Sequence, residues 1–332
     1  MSLPNALYIS RMNSFIAHWE LVAQAIAPKT LSVRNPDTGV AVSLAQFTTL
    51  RNQLQTQIIA VQGCLTQEQL ARSDINIRKA QLLGLFHQFT SLMDGGYRNT
   101  RFYDLRPVAP SLGDGKETFS SPMFEMMNAW EQMDGGPAPA GVTLPLTLED
   151  GTTQGTFSSL VSALAFEYEV EKKKDALVTL ARSDRNAIQV KAYAVMKTYR
   201  EILPGKIPQF PTLVETMPRL TPLPGHTPAA VNASAVFEAP NLSRVEYDAS
   251  PDAMLQGYEL RGNVGDDYSD EDAIVIATNG PGVAREFVTP FGLNQPGARV
   301  ALKVYVILTT GNEAGSGALF VTRPANVQPM AA

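Results

Sequence analysis

One five-residue string occurs twice in this chain. Leu70-Ala71-Arg72-Ser73-Asp74 returns in the second half as Leu180-Ala181-Arg182-Ser183-Asp184. The only two tryptophans, in Trp19-Glu20 and Trp130-Glu131, are spaced almost identically. Two independent landmarks at nearly one offset predict a duplicated unit. A third agrees: the turn-rich stretch 31–42, with Asp37-Thr38-Gly39, has a counterpart in Leu146–Thr152, with Asp150-Gly151-Thr152. Alternating apolar residues around such turns predict a small hairpin in each copy.

Each copy then reads as helix, hairpin, helix, helix. The first copy places helices near 5–27, 43–63 and 67–93, and the second near 120–134, 156–182 and 184–203. Phe15, Trp19, Val22 and Ile26 form one apolar stripe; Ile75, Leu82, Leu85, Phe86 and Phe89 form another, answered by Ile188, Ala192, Val195, Met196 and Tyr199. Ser73-Asp74 and Ser183-Asp184 suit helix starts, since Ser accepts from orphan N–H groups and Asp complements the dipole. Six helices with facing stripes predict a bundle with internal two-fold symmetry. Trp19 and Trp130 read as its core anchors. A sharper alternative is a ligand groove between the copies, lined by Arg72, Asp74, Arg182 and Asp184.

Beyond residue 203 the composition changes. Pro204, Pro208, Pro211, Pro218, Pro222, Pro224, Pro228 and Pro240 predict an extended surface linker, because proline cannot continue a helix or a central strand. After it the apolar period becomes two. Val300, Leu302, Val304 and Val306 share one face, with Ala301, Lys303 and Tyr305 on the other. The fold class expected is therefore multidomain α plus all-β: a duplicated helical bundle, a Pro-rich linker and a β-sandwich. The divisions are copy one at 1–110, copy two at 111–203 in one bundle with it, linker at 204–240 and sandwich at 241–326.

Particular strings in the last part resemble a family. Val245–Asp252 followed by Gly257–Arg261 is similar to strands B and C of a fibronectin type III domain. Leu293–Gly297 with Val300–Val306 resembles its E–F corner and strand F, Gly311–Ser316 its F–G loop, and Leu319–Thr322 its last strand. The resemblance implies a two-sheet sandwich that binds or spaces. Tyr247 stands where that family usually has Trp, and Val300 where it has the corner Tyr, so the corner's usual hydrogen bond is absent.

The chemistry in the sequence is thin. The chain has 27 Lys+Arg against 32 Asp+Glu, a formal charge of −5, which removes the basic footprint of nucleic-acid binding. One cysteine (Cys64) and three histidines (His18, His87, His226) exclude a disulfide framework and a Cys/His zinc site. His18, His87 and Cys64 read as structural residues. Gly-x-Ser-x-Gly, P-loop and His-Glu-x-x-His motifs are missing, so no catalytic or cofactor-binding residue is expected and no cofactor. Gly265–Asp272 concentrates carboxylates after strand C. Asp266, Asp267, Asp270 and Asp272 are its weak candidates for a cation, against the plainer reading of a solvated loop. Tyr97–Arg106 mixes aromatics with arginine, so Arg98, Arg101, Phe102 and Tyr103, together with Tyr305, are candidate interface residues.

The expectation is a non-enzymatic structural or interaction protein. It would assemble with itself or another protein through the bundle, while the linker leaves the sandwich free to reach outward. Nucleic acid and membrane insertion are not expected, and neither a leader pattern nor a membrane-length apolar run occurs, which favours the cytoplasm. A small-ligand binder or enzyme with a cleft between the copies, and a virion or injection-particle component, are the alternatives.

Overall fold

The computed structural model describes residues 5–34, 39–139 and 142–324. Helix α1 is Asn5–Ile26. A two-stranded ribbon follows, β1 (Val33–Arg34) pairing antiparallel with β2 (Ala41–Val42), and its turn residues Asn35, Pro36, Asp37 and Thr38 lie outside the described residues. Then come α2 (Leu44–Leu92), α3 (Lys116–Asp134), α4 (Gln154–Lys206) and the short α5 (Pro211–Glu215). In the second half the expected hairpin is reduced to a single antiparallel bridge, Thr147 with Thr153.

Four expected helices are two. Residues 43–63 and 67–93 form the unbroken 49-residue α2, and 156–182 with 184–203 form the 53-residue α4. Ser73-Asp74 and Ser183-Asp184 are mid-helix, and Asp74, Ser183 and Asp184 face solvent. Ser and Asp inside a helix lose only tenths of a kcal/mol (about 0.5 each) relative to Ala, and no proline interrupts 44–92. The starting device is elsewhere. Ser43 Oγ accepts from Gln46 N while Gln46 Oε1 accepts from Ser43 N at 2.8 Å, a capping box. Thr153, which stands to Ser43 as Leu180 does to Leu70, accepts from Thr156 N in the same way.

The chain folds as two compact units, one from residues 1–69 and 176–332, the other from 70–175. Their helical cores each draw on both halves of the sequence. In the 70–175 unit, Trp130 stacks on Phe89 at 5.4 Å and packs on Phe157 at 6.2 Å. In the other unit, Trp19 packs on Phe47 at 6.0 Å and on Tyr199 at 4.9 Å. The offset that carries Leu70 to Leu180 also carries Phe47 to Phe157 and Phe89 to Tyr199. Both tryptophans are fully buried.

The proline-rich stretch is not a free linker. Pro204 sits in the last turn of α4, and Pro211 opens α5, a position where a missing N–H is harmless. Ile207 is buried, and Phe210, Leu213, Val214, Met217 and Leu220 pack on the core of Trp19. Arg200 Nη1 donates to Pro218 O at 2.6 Å, and His18 Nε2 lies 2.7 Å from Leu213 O. Apolar residues interleaved with the prolines give this segment a face to bury, which an extended spacer lacks.

A β-sandwich completes the unit of residues 1–69 and 176–332. It starts at residue 233 rather than 241, with β3 (Ala233–Glu238) and β4 (Leu242–Tyr247), then β5 (Leu255–Val264), β6 (Ile274–Asn279), β7 (Glu286–Thr289), β8 (Arg299–Leu308), β9 (Glu313–Gly315) and β10 (Leu319–Thr322). One sheet runs β3-β4-β7, the other β10-β8-β5-β6 with β9 on β8, all antiparallel. Val300, Leu302, Val304 and Val306 are completely buried between the sheets. Tyr247 stacks on Phe287 at 5.2 Å, with Tyr258 at 4.7 Å. At the turn before β8, Arg323 Nη1 donates to Leu293 O and Asn294 O, both at 2.9 Å, supplying hydrogen bonds to a corner that has no tyrosine. Among the described residues no helix is long and apolar enough to cross a membrane.

Candidate functional site

The loop between β5 and β6 carries the acidic string and is built by its own polar side chains. Asn263 Oδ1 accepts from Ser269 N at 3.0 Å and its Nδ2 donates to Asp267 O at 2.8 Å. Ser269 then caps Asp272 N at 3.2 Å. This geometry sends the carboxylates apart. Asp266 pairs with Arg299 at 3.1 Å, Asp270 accepts from the Tyr305 hydroxyl, Asp267 is exposed, and Asp272 turns inward. They share no centre, and among the described residues no three His, Cys, Asp or Glu gather around one point. Asp266, Asp270 and Asp272 are thus explained as partners of Arg and Tyr, and Asp267 is a solvated loop residue.

Asp272 is the hub that fixes the sandwich to the helices of its unit. Its carboxylate accepts from Arg185 Nη1 at 2.6 Å and from Arg182 Nη2 at 2.6 Å. Arg185 also donates to Glu271 O at 2.8 Å, and Gln62 Nε2 to Asp272 O at 2.6 Å. Val264 packs in a cluster with Val61, Leu65, Val178 and Ala181, and Gln69 Nε2 donates to Arg299 O at 3.0 Å. The sandwich is therefore docked, not held at a distance.

A second buried charge lies on the β5–β8 face. Arg261, with 1% of its side chain exposed, grips Glu313 with both terminal nitrogens at 2.9 and 2.6 Å and Glu259 through Nε at 2.8 Å. Burial works against its charge, but Glu313 and Glu259 outweigh that and hold the guanidinium above its ordinary pKa. The guanidinium lies 4.1 Å from the Tyr305 ring centre. Burial pushes the Tyr305 phenol up, and its bond to Asp270 adds to this.

Tyr305 is therefore a buried element of the fold rather than an interface residue. Phe102 is another: it is buried edge-on to Tyr97 at 6.1 Å. Arg101 lies over the Phe102 ring at 5.0 Å and is exposed, as is Arg98. Tyr103 donates to Asp94 at 3.0 Å, as does Arg106; hydrogen bonds from Arg106 and then Tyr103 hold the Asp94 carboxyl below the usual range. The four residues of the suggested groove are also accounted for within their own units. Arg72 pairs with Glu171 at 3.2 Å, Arg182 with Asp272, and Asp74 and Asp184 face solvent.

An open face was missed in the sequence. Cross-strand register sets Val236, Arg244 and Val288 in one row over β3, β4 and β7. The valines are 55% and 47% exposed, and Arg244 is clamped between Glu238 at 2.6 Å and Glu286. A neighbouring cavity of about 600 Å³ is lined by Asn232, Ser234, Glu246, Asp248 and Arg285. The period-two alternation of Ser234-Ala235-Val236-Phe237 is the sequence signal for this face, masked by Pro228 and Pro240 on either side.

No family model matches the chain, and no curated protein does. Solved structures match about a third of the chain. A Fn3-like protein from Clostridium thermocellum is 20% identical over 30% of this chain and 96% of that one, with a TM-score of 0.23. The fn3 domain of human contactin 1 is 14% identical over 34% and 90%, with a TM-score of 0.26. Pectate lyase PelI from Erwinia chrysanthemi is 13% identical over 28% and 28%, with a TM-score of 0.24. The two antiparallel sheets of the C-terminal region are those that its resemblance to fibronectin type III domains implies.

Proposed function

We propose that this chain, with a fibronectin type III-like sandwich in its C-terminal region, is a non-enzymatic structural or interaction protein of the cytoplasm. In this reading the helices assemble with further copies or with a partner protein, and the sandwich is an oriented binding module. The observation that carries it is the buried Asp272–Arg185 pair: a module locked by a desolvated ion pair presents its outer face in one fixed direction. That face is the row of Val236, Arg244 and Val288, an apolar pair around an arginine, a composition favoured at protein contacts. Large exposed side chains on the helices, Ile77 and Phe166 in the 70–175 unit, support assembly there.

The helical part descends, on this proposal, from a duplicated unit. The matched environments of Trp19 and Trp130, and the caps Ser43 and Thr153, support it. Light scattering and negative-stain microscopy of the full chain test the assembly reading. A discrete oligomer or filament is expected; a monodisperse monomer at high concentration would overturn self-assembly and leave only a partner protein.

A further inference from the structure

Four segments of the unit of residues 1–69 and 176–332 meet around a cavity of about 310 Å³: the first turns of α1, the stretch after α5, the start of β5 at Gln256, and the turn between β8 and β9. Two arginines line it. Arg11 donates through Nη1 to Leu220 O, and among the described residues it has no carboxylate within ion-pair distance. Arg219 is exposed and has no hydrogen-bond partner among the described residues. The carboxylate that acts on Arg11 is Glu313, and both oxygens of Glu313 are already taken by Arg261. Burial accordingly lowers the Arg11 pKa, the mark of a desolvated cation whose compensation is incomplete.

The rest of the lining suits an anion. Ser10, Thr221 and Thr310 bring hydroxyls. Thr310 Oγ1 accepts from Asn312 Nδ2 at 2.9 Å, which leaves its own proton to donate. The cavity includes Leu7 and Ser10 from the opening turns of the 22-residue α1, whose dipole adds positive potential. Leu7 and Leu223 give it an apolar wall beside the charges.

We infer that this cavity binds a small phosphomonoester, its phosphate gripped by Arg11 and Arg219 and its organic part against Leu7 and Leu223. Guanidinium forks match phosphate oxygens two at a time, and hydroxyls complete a tetrahedral anion. A bound phosphate also bridges α1 to the β8–β9 turn, so occupancy stiffens the docked sandwich. None of this depends on the assembly reading, since a monomer would bind equally well.

Calorimetric titration of the full-length chain with phenyl phosphate, inorganic phosphate and benzoate at constant ionic strength tests it. Phenyl phosphate is expected to saturate one site per chain. Arg219→Gln, a change at an exposed side chain with nothing to unfold, is expected to weaken it about tenfold. Arg11→Gln is expected to weaken it further, with its melting curve recorded because the Leu220 contact goes too. Tighter binding of phenyl phosphate than of inorganic phosphate supports the apolar wall, and equal binding assigns the site to free phosphate. Absence of saturable binding, affinity unchanged in Arg219→Gln, or benzoate binding as tightly as phenyl phosphate would each overturn the inference.

Discussion

Arg185 donates from Nη1 to Asp272 Oδ1 at 2.6 Å, with 1% and 2% of the two side chains left to solvent. One residue lies on α4 and the other on the loop that precedes β6, so this contact ties a helix to the sandwich. Removing either partner strands the other charge. Asp272→Ala is expected to destabilise the unit by about 3–5 kcal/mol, measured by denaturant unfolding. Adding Arg185→Ile, which copies the matching residue of the first helical stretch, Ile75, is expected to recover much of that loss, because a buried ion pair and a well-packed apolar pair are often equivalent. A double variant no more stable than the single one would contradict the account.

The two tryptophans offer a paired test. Trp19 and Trp130 are both fully buried against two aromatic rings. Trp19→Ala and Trp130→Ala are each expected to lose about 3–5 kcal/mol. Tryptophan fluorescence of the native chain should be blue-shifted for both, and each single Trp→Phe variant should retain a blue-shifted spectrum. A red, solvent-like emission from either would refute the matched environments.

Alkaline titration reads the buried phenols. Burial pushes the pKa of Tyr199, Tyr268 and Tyr305 up in the folded chain. A raised folded pKa favours folding while the unfolded phenol is still protonated. That contribution is complete below about pH 10, the ordinary tyrosine value, and is lost as pH climbs toward the folded pKa values. Phenolate absorbance should therefore show these three tyrosines ionising only together with unfolding. Ionisation of all ten tyrosines near pH 10 in a chain still folded by circular dichroism would refute it.

Arg323 is expected to matter more than its half-buried position near the end of the sandwich suggests. Its guanidinium joins Leu293 O and Asn294 O, and its backbone pairs with Gly297 and Ala298. Arg323→Ala should destabilise the sandwich by about 1–3 kcal/mol, the cost of leaving carbonyls without donors. Arg323→Lys should recover only part of this, because one ammonium cannot reproduce the fork. Thermal melts of the three proteins decide it.

The sandwich was legible where neighbouring residues determine burial. Alternation over Val300–Val306 states which side chains face inward, since strand side chains alternate with period two whatever lies opposite. The helix ends at 43 and 153 were legible to within a few residues for a similar reason, capping being local. Ser73-Asp74 misled because a capping composition is only a local preference. In α2 it yields to a continuous run of backbone hydrogen bonds and a buried stripe through Ala71 and Ile75.

Local pattern alone thus determined that the first part is helical and the last part stranded, together with the inward face of β8 and the echo between the two helical stretches. Tertiary structure decided everything that depends on partners remote in the chain. Asp272 reads as one more carboxylate in an acidic string until Arg185, far away on α4, makes it a buried anchor. Tyr305 and Phe102 look like contact residues until Arg261 and Tyr97 cover them. The prolines of 204–224 look like a spacer until the core of Trp19 takes up the apolar residues between them. The physical reason is common to all three: burial and charge compensation are properties of a surrounding, and a surrounding is assembled from segments that sequence proximity does not connect.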